Sequence, residues 1–151
     1  MTDNNPLAAK KTTMGDAAVD GLIAGIGAGV VMAAVLVVAG LLTGDGPGVV
    51  LGRFDPGTAA SPVTGSLMHL AVSGVYGALF GLGRRLISGW QPVSRLPGWL
   101  IGLAYGLGLW AVAQASLLSG AESPLQEVPA LYFALAHAVF GLTLGLAMTR
   151  K

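Results

Sequence analysis

Four long segments without a single charged residue constrain this sequence more than any other feature. They cover residues 21–44, 56–83, 96–121 and 128–149. Each contains the roughly 20 residues that an α-helix needs to cross a hydrocarbon core about 30 Å thick. The apolar residues are continuous rather than alternating, which excludes the strands of a membrane β-barrel. The sequence therefore predicts an all-α membrane protein with four transmembrane helices, near 21–42, 62–83, 97–118 and 129–149.

The composition supports this prediction. Hydrophobic residues make up 54% of the 151 residues and charged residues 10%, whereas about 25% of the residues in a soluble domain are charged. A soluble fold of this size could not bury so much apolar surface. The chain has no cysteine, which excludes disulfides, thiolate metal ligands and cysteine nucleophiles. Its net charge of +1 gives no indication of nucleic-acid binding.

Positive charges are distributed unevenly between the two sides that four membrane spans define. Arg53 lies alone on one side, and the other seven of the eight basic residues lie on the opposite side: Lys10, Lys11, Arg84, Arg85, Arg95, Arg150 and Lys151. Cytoplasmic loops carry the excess of positive charge, so we expect both termini in the cytoplasm. Residues 1–19 are polar and predict a flexible cytoplasmic tail, residues 20–151 predict the bundle, and residues 43–61 predict a long outer loop.

Small residues recur every four positions in all four predicted helices, and the chain contains 24 glycines in total. Such stripes let helix backbones approach closely in lipid. The first and third helices carry glycines only, and the second and fourth carry a histidine followed by small residues. We therefore expect a tight glycine-rich bundle of two hairpins that form a parallel repeat. The stripes are Gly21, Gly25 and Gly29; His69, Ser73, Gly77 and Gly81; Gly98, Gly102 and Gly106; and His137, Gly141, Gly145 and Thr149.

The segments HLAVSGVYG, GLAYGLGLW and LAHAVFGLTLG together resemble a group of small bacterial four-helix membrane proteins known only as domains of unknown function. The resemblance covers roughly residues 20–149 and rests on the two histidines, the glycine stripes and the tryptophan of the third helix. It implies the four-helix fold and the inner-membrane setting. It implies no activity and assigns no functional residues.

Two histidines and one glutamine are the notable polar side chains within the spans. His69 and His137 each lie seven or eight residues after a helix-starting proline, which places them about 11 Å inside the predicted outer end. Gln114 falls at a similar depth. We expect the three to form one polar layer, in which the histidines bond to each other, to Gln114 or to backbone carbonyls and tie the helices together.

Other roles for this layer remain open. The histidines could ligate one haem b from both sides, although the sequence places no arginine at this depth to meet the propionates. They could belong to a proton or ion path, although the spans lack the carboxylate that most such relays use. They could also line a pocket for a lipid or a quinone.

Motifs for catalysis are absent from the spans, which hold no Asp or Glu and no serine–histidine–carboxylate set. We therefore expect no catalytic residue, no metal site and no cofactor. The favoured function is a non-catalytic accessory or scaffold subunit of a larger bacterial inner-membrane assembly, for which the histidines favour an energy-converting complex, respiratory or photosynthetic. Its partners would be membrane lipids and either other subunits or further copies of itself. The alternatives are a small haem- or quinone-binding electron-transfer protein and a homo-oligomeric channel or transporter.

Overall fold

The computed structural model describes residues 13–89, 96–118 and 123–149, and in these segments all regular secondary structure is helical. The elements are α1 (Met14–Thr43), α2 (Pro47–Gly52), α3 (Pro62–Ile87), α4 (Gly98–Leu118), the 3₁₀ helix η1 (Pro124–Glu127) and α5 (Ala130–Thr149). Helices α1, α3, α4 and α5 are long and apolar enough to span a membrane. The prediction of an all-α protein with four candidate membrane spans is therefore confirmed.

Helix α1 begins earlier than predicted. A capping box fixes its start, because the Asp16 N–H donates to Thr13 Oγ1 over 3.1 Å and the Thr13 N–H donates to Asp16 Oδ2 over 2.9 Å. Residues 14–19, expected within the flexible tail, are therefore helical, while residues 1–12 lie outside the described part of the chain. With 30 residues, α1 is about 45 Å long and exceeds the thickness of a hydrocarbon core. It ends at Gly44, whose φ of 96° is a left-handed conformation that glycine adopts without strain.

The connections at one end of the bundle are more ordered than a plain loop. We call this the α2 end; the opposite end carries Arg84. Residues 43–61 were predicted as a loop, but they contain the short helix α2. The helix begins at Pro47 because the fixed φ of proline suits the first helical position. Serine side chains cap two of the elements at this end: Ser61 accepts from the Thr64 N–H at the start of α3, and Ser123 accepts from the Leu125 N–H at the start of η1.

Helices α1 and α3 form one pair, α4 and α5 form the other, and α1 packs on α5 to join them. The backbones within each pair are in contact. A β-carbon built on Gly25 would overlap the main chain of Ser73 and Gly77, and one built on Gly102 would overlap that of Gly141 and Gly145. Larger side chains fill the contact between the pairs, and the buried members of this core include Met32, Leu36, Phe80, Phe133, Phe140 and Leu144.

Helices α3 and α4 meet through side chains rather than through a close backbone seam. The Tyr105 hydroxyl donates to the Tyr76 carbonyl oxygen over 2.8 Å. The Phe80 and Tyr105 rings pack with their centroids 5.1 Å apart. These contacts join the two helices in the middle of the bundle, and a space remains between them toward the α2 end.

Candidate functional site

A cavity of about 600 Å³ occupies the α2 end of the bundle. All four long helices line it, and residues 53–58 and 123–125 cover it. On α3, the lining side chains Met68, Val72 and Tyr76 are solvent-accessible rather than buried. The cavity is therefore half-open along α3 rather than sealed. Its walls are mainly apolar and include Met32, Phe54, Leu109, Phe133 and Phe140.

His69 lies on α3 and is 6% exposed. Its Nε2 is 3.0 Å from the Gly29 carbonyl oxygen on α1. A carbonyl oxygen only accepts, so Nε2 carries the hydrogen and donates it. The imidazole is neutral, because a charged side chain within a membrane span is expensive. Its Nδ1 therefore keeps a free lone pair, and no described residue donates to it. The Phe54 ring packs against this imidazole with the centroids 4.7 Å apart.

His137 lies on α5 and lines the same cavity. Its Nδ1 is 2.9 Å from the Phe133 carbonyl oxygen, one turn earlier in the same helix. By the same reasoning Nδ1 carries the hydrogen and Nε2 keeps the lone pair. The Phe133 ring meets this imidazole edge-on at a centroid distance of 4.5 Å. Each histidine thus donates its one N–H group to a main-chain carbonyl and retains one nitrogen that can accept a hydrogen bond.

The structure brings the two histidines together at one cavity but does not bring Gln114 to them. Gln114 lies on α4 directly after the lining residue Ala113 and is absent from the cavity wall. Neither histidine bonds to Gln114 or to the other histidine. Of the bonding arrangements expected for the predicted layer, the structure shows the one with backbone carbonyls, and the three side chains do not form a hydrogen-bonded triad. Among the predicted packing residues, Ser73 both lines the cavity and packs against Gly29.

The other predicted packing glycines lie at the two helix–helix seams, away from the cavity wall. A β-carbon on any of them would overlap an atom of the facing helix. Those of the α1–α3 seam are Gly21, Gly25, Gly29, Gly77 and Gly81, and those of the α4–α5 seam are Gly98, Gly102, Gly106, Gly141 and Gly145.

An ion-pair cluster covers the cavity. Arg53 Nη2 is 3.0 Å from Asp45 Oδ2 and 2.9 Å from Glu127 Oε2, which ties the segment around α2 to η1. Burial acts to lower the pKa of the Arg53 guanidinium, but the hydrogen bonds and charges of Glu127 and Asp45 outweigh it and raise that pKa. The sequence places no arginine at the depth of the histidines, but the chain after α2 brings Arg53 to the cover of the cavity.

Asp55 is a buried acidic group at this cover, with 9% of its surface exposed. Its two carboxylate oxygens accept from the main-chain N–H groups of Gly57 and Ser61, over 2.9 and 2.8 Å. Both oxygens are used to close the turn, so Asp55 has a structural role here. Among the described residues, the charged groups that line the cavity or pair with its lining are Arg53 and the three carboxylates of Asp45, Asp55 and Glu127, so their formal charges favour a negative potential at this cover.

Sequence reasoning missed Arg53, Phe54 and Asp55 as cavity residues. The run Asp55-Pro56-Gly57 is a turn signal and could have indicated where the chain turns before α3. No local pattern indicated that the residues before this turn would fold over the histidines.

Across the described segments, no three His, Cys, Asp or Glu side chains converge as they would at a metal site. Comparison with known proteins adds no assignment, and the resemblance suggested by the sequence motifs stays a prediction. No known protein family, curated protein or solved structure matches this chain.

Proposed function

We propose that this protein binds a membrane-soluble amphiphile in the cavity between α3 and α4. The observation that carries the proposal is the cavity itself, which is mainly apolar, half-open along α3 and equipped with two histidine acceptors. Apolar pockets with a few convergent polar groups are the usual form of small-molecule sites. The exposed margin at Met68 and Val72 gives a ligand a lateral path from the lipid.

The proposed setting is a bacterial inner membrane with both termini in the cytoplasm, so that the α2 end and the cavity lie toward the outside. The seven-to-one distribution of basic residues supports this orientation. We further propose that the two hairpins are a parallel repeat. Equivalent contacts support it, since Gly25 meets Ser73 and Gly77 where the matching Gly102 meets Gly141 and Gly145.

The arrangement of the ring nitrogens favours a hydrogen-bonded ligand over a haem held by both histidines. An imidazole ligates iron through an unprotonated nitrogen. His137 offers Nε2, but His69 has its Nε2 bonded to Gly29 and offers only Nδ1. Because Nδ1 adjoins the side-chain attachment to the backbone, a macrocycle on it would collide with α3.

The proposal is one of binding rather than catalysis. The carboxylate nearest the cavity, Asp55, has both oxygens occupied by main-chain N–H groups. The histidine N–H groups are likewise committed to carbonyl oxygens. Among the described residues, the cavity lining therefore offers no free carboxylate that could act with a histidine as an acid–base pair.

A role as an accessory subunit of a larger membrane assembly is a second candidate. The observation that favours it is the exposure of α4, the least buried of the four candidate spans. A neighbouring subunit would cover this face. Co-purification of a stoichiometric partner in a mild detergent would support this role, and a protein that elutes alone would count against it.

Native mass spectrometry of the gently purified protein tests the binding proposal. We expect one bound amphiphile per chain in the wild type. The double variant Val72→Trp with Ala113→Trp fills the cavity from both margins and should lose it. The control variant Val75→Trp with Ala115→Trp adds the same side chains outside the cavity lining and should keep it. Equal occupancy in both double variants would place the amphiphile elsewhere.

A further inference from the structure

We propose that the ligand of this cavity is an uncharged aromatic alcohol with an apolar tail, such as a long-chain phenol or hydroquinone. The proposal rests on the proposed function, because it names the chemistry of the molecule that the cavity binds. Three independent features of the lining carry it: the hydrogen-bonding state of the histidines, the aromatic walls, and the charge around the cover.

The histidines select for a ligand that donates hydrogen bonds. Their N–H groups are committed to the carbonyl oxygens of Gly29 and Phe133, so Nδ1 of His69 and Nε2 of His137 act only as acceptors. Ser73 and Tyr76 also line the cavity, but a hydroxyl group can either donate or accept a hydrogen bond and does not select between ligands. A ligand hydroxyl can donate a hydrogen bond to the histidine nitrogen. An ether or carbonyl oxygen at the same place cannot donate, so its lone pairs would repel the lone pair of that nitrogen.

The walls favour an aromatic head group. Phe54 and Phe133 flank the two histidine rings, and Phe140 and Tyr76 line the same cavity. Aromatic rings bind one another in offset or edge-on arrangements that add to the burial of apolar surface. A hydroxyl group on an aromatic ring could therefore bond to a histidine nitrogen while the ring packs against the neighbouring aromatic side chains. The apolar tail would leave along the exposed α3 margin into lipid.

The charge around the cover disfavours an anionic head group. Arg53 is the cation at this cover, and its guanidinium is already paired with Asp45 and Glu127. Asp55 adds a third carboxylate beneath the same cover. A phosphate or carboxylate would be repelled by this set, whereas a phenol, with a pKa near 10, is uncharged at neutral pH.

The test compares three probes that share a decyl chain: a decylphenol, its methyl ether and decyl phosphate. Each is titrated by calorimetry into the purified full-length protein in an uncharged detergent. We expect the phenol to bind about five-fold or more tightly than the ether, the effect of one neutral hydrogen bond. Decyl phosphate should bind most weakly.

Histidine variants then identify the acceptors. His137→Leu should reduce the preference for the phenol over the ether, and His137→Gln should retain it, because an amide keeps an acceptor. Leu135→Ala, an exposed position on the same helix, is the control and should leave the preference unchanged. If a variant fails to fold, the ratio of the wild-type affinities for the phenol and the ether is sufficient to test the inference.

The outcomes separate this inference from the proposed function. Equal affinity for phenol and ether would overturn the inference but leave the cavity as an amphiphile site. If decyl phosphate binds most tightly of the three probes, the inference is also overturned, because the charges at the cover should disfavour an anionic head group. Failure of all three probes to bind, together with no amphiphile in the native mass spectrum, would overturn the proposed function as well.

Discussion

Two glycines that lie two positions apart on α1 should respond in opposite ways to the same substitution. In Gly25→Ala, the added β-carbon would overlap the main chain of Ser73 and Gly77 on α3. In Gly27→Ala, the added β-carbon would meet no atom within 4 Å. Both substitutions replace glycine by alanine within one helix, so the difference between them isolates the contact between α1 and α3.

The magnitude follows from the packing. Overfilling a well-packed site costs about 1–3 kcal/mol, and the groups that Gly25→Ala would strike are backbone, which cannot rotate away. The gain in helix propensity, up to about 1 kcal/mol, is common to both variants and cancels. We therefore expect Gly25→Ala to be less stable than Gly27→Ala by about 1–3 kcal/mol, or about 5- to 150-fold in the folded-to-unfolded ratio.

The assay is equilibrium unfolding in mixed micelles of a mild detergent and SDS, followed by circular dichroism. Gly27→Ala should match the wild type or exceed it slightly. The pair Gly106→Ala and Gly108→Ala on α4 repeats the experiment in the second hairpin, because a β-carbon on Gly106 would overlap the His137 carbonyl while one on Gly108 would meet nothing. Indistinguishable midpoints within each pair would refute the close backbone packing.

Other contacts lead to predictions of their own. Tyr105→Phe removes the hydrogen bond to α3 and should lower the free energy of unfolding by about 0.5–1.5 kcal/mol, whereas Tyr132→Phe, whose hydroxyl bonds to no described residue, should have little effect. Arg53→Met leaves two carboxylates unpaired at the cavity cover, so a protease should cleave residues 44–61 faster, but Arg85→Met at the opposite end should not change that rate. Compartment-sensitive reporters inserted at positions 48 and 88 should report the outside and the cytoplasm respectively, and a cytoplasmic signal at 48 would contradict the proposed orientation.

The spans were predictable because their signal is strong and local. An absence of charge over a membrane's thickness admits few structures other than a helix, and serine–proline pairs marked the start of α3 and of η1. The start of α1 was missed because the polar composition of residues 1–19 favoured a tail, and the capping pattern of Thr13 and Asp16 is the signal that could have found it. Helix α2 was missed because six residues rich in glycine and proline show no helical periodicity.

The site was predictable in part. Counting residues from each helix start placed His69 and His137 at one depth, and both line one cavity. Depth does not determine which way a side chain faces, since each residue turns the helix by about 100°. That is why Gln114 misses the cavity that its neighbour Ala113 lines. The placement of Arg53 and Phe54 depends on how residues 44–61 fold over the bundle, which no local pattern specifies.

The central claim is that a ligand occupies the space between α3 and α4 beside the two histidines. Photolabelling tests it most directly, with a decylphenol that carries a diazirine in its chain, followed by mass-spectrometric mapping of the adducts. We predict labels on cavity residues such as Val72 and Ala113, lost when unlabelled decylphenol is added in excess. Labels spread over lipid-facing residues such as Val38 and Leu42, and unchanged by the competitor, would contradict the claim.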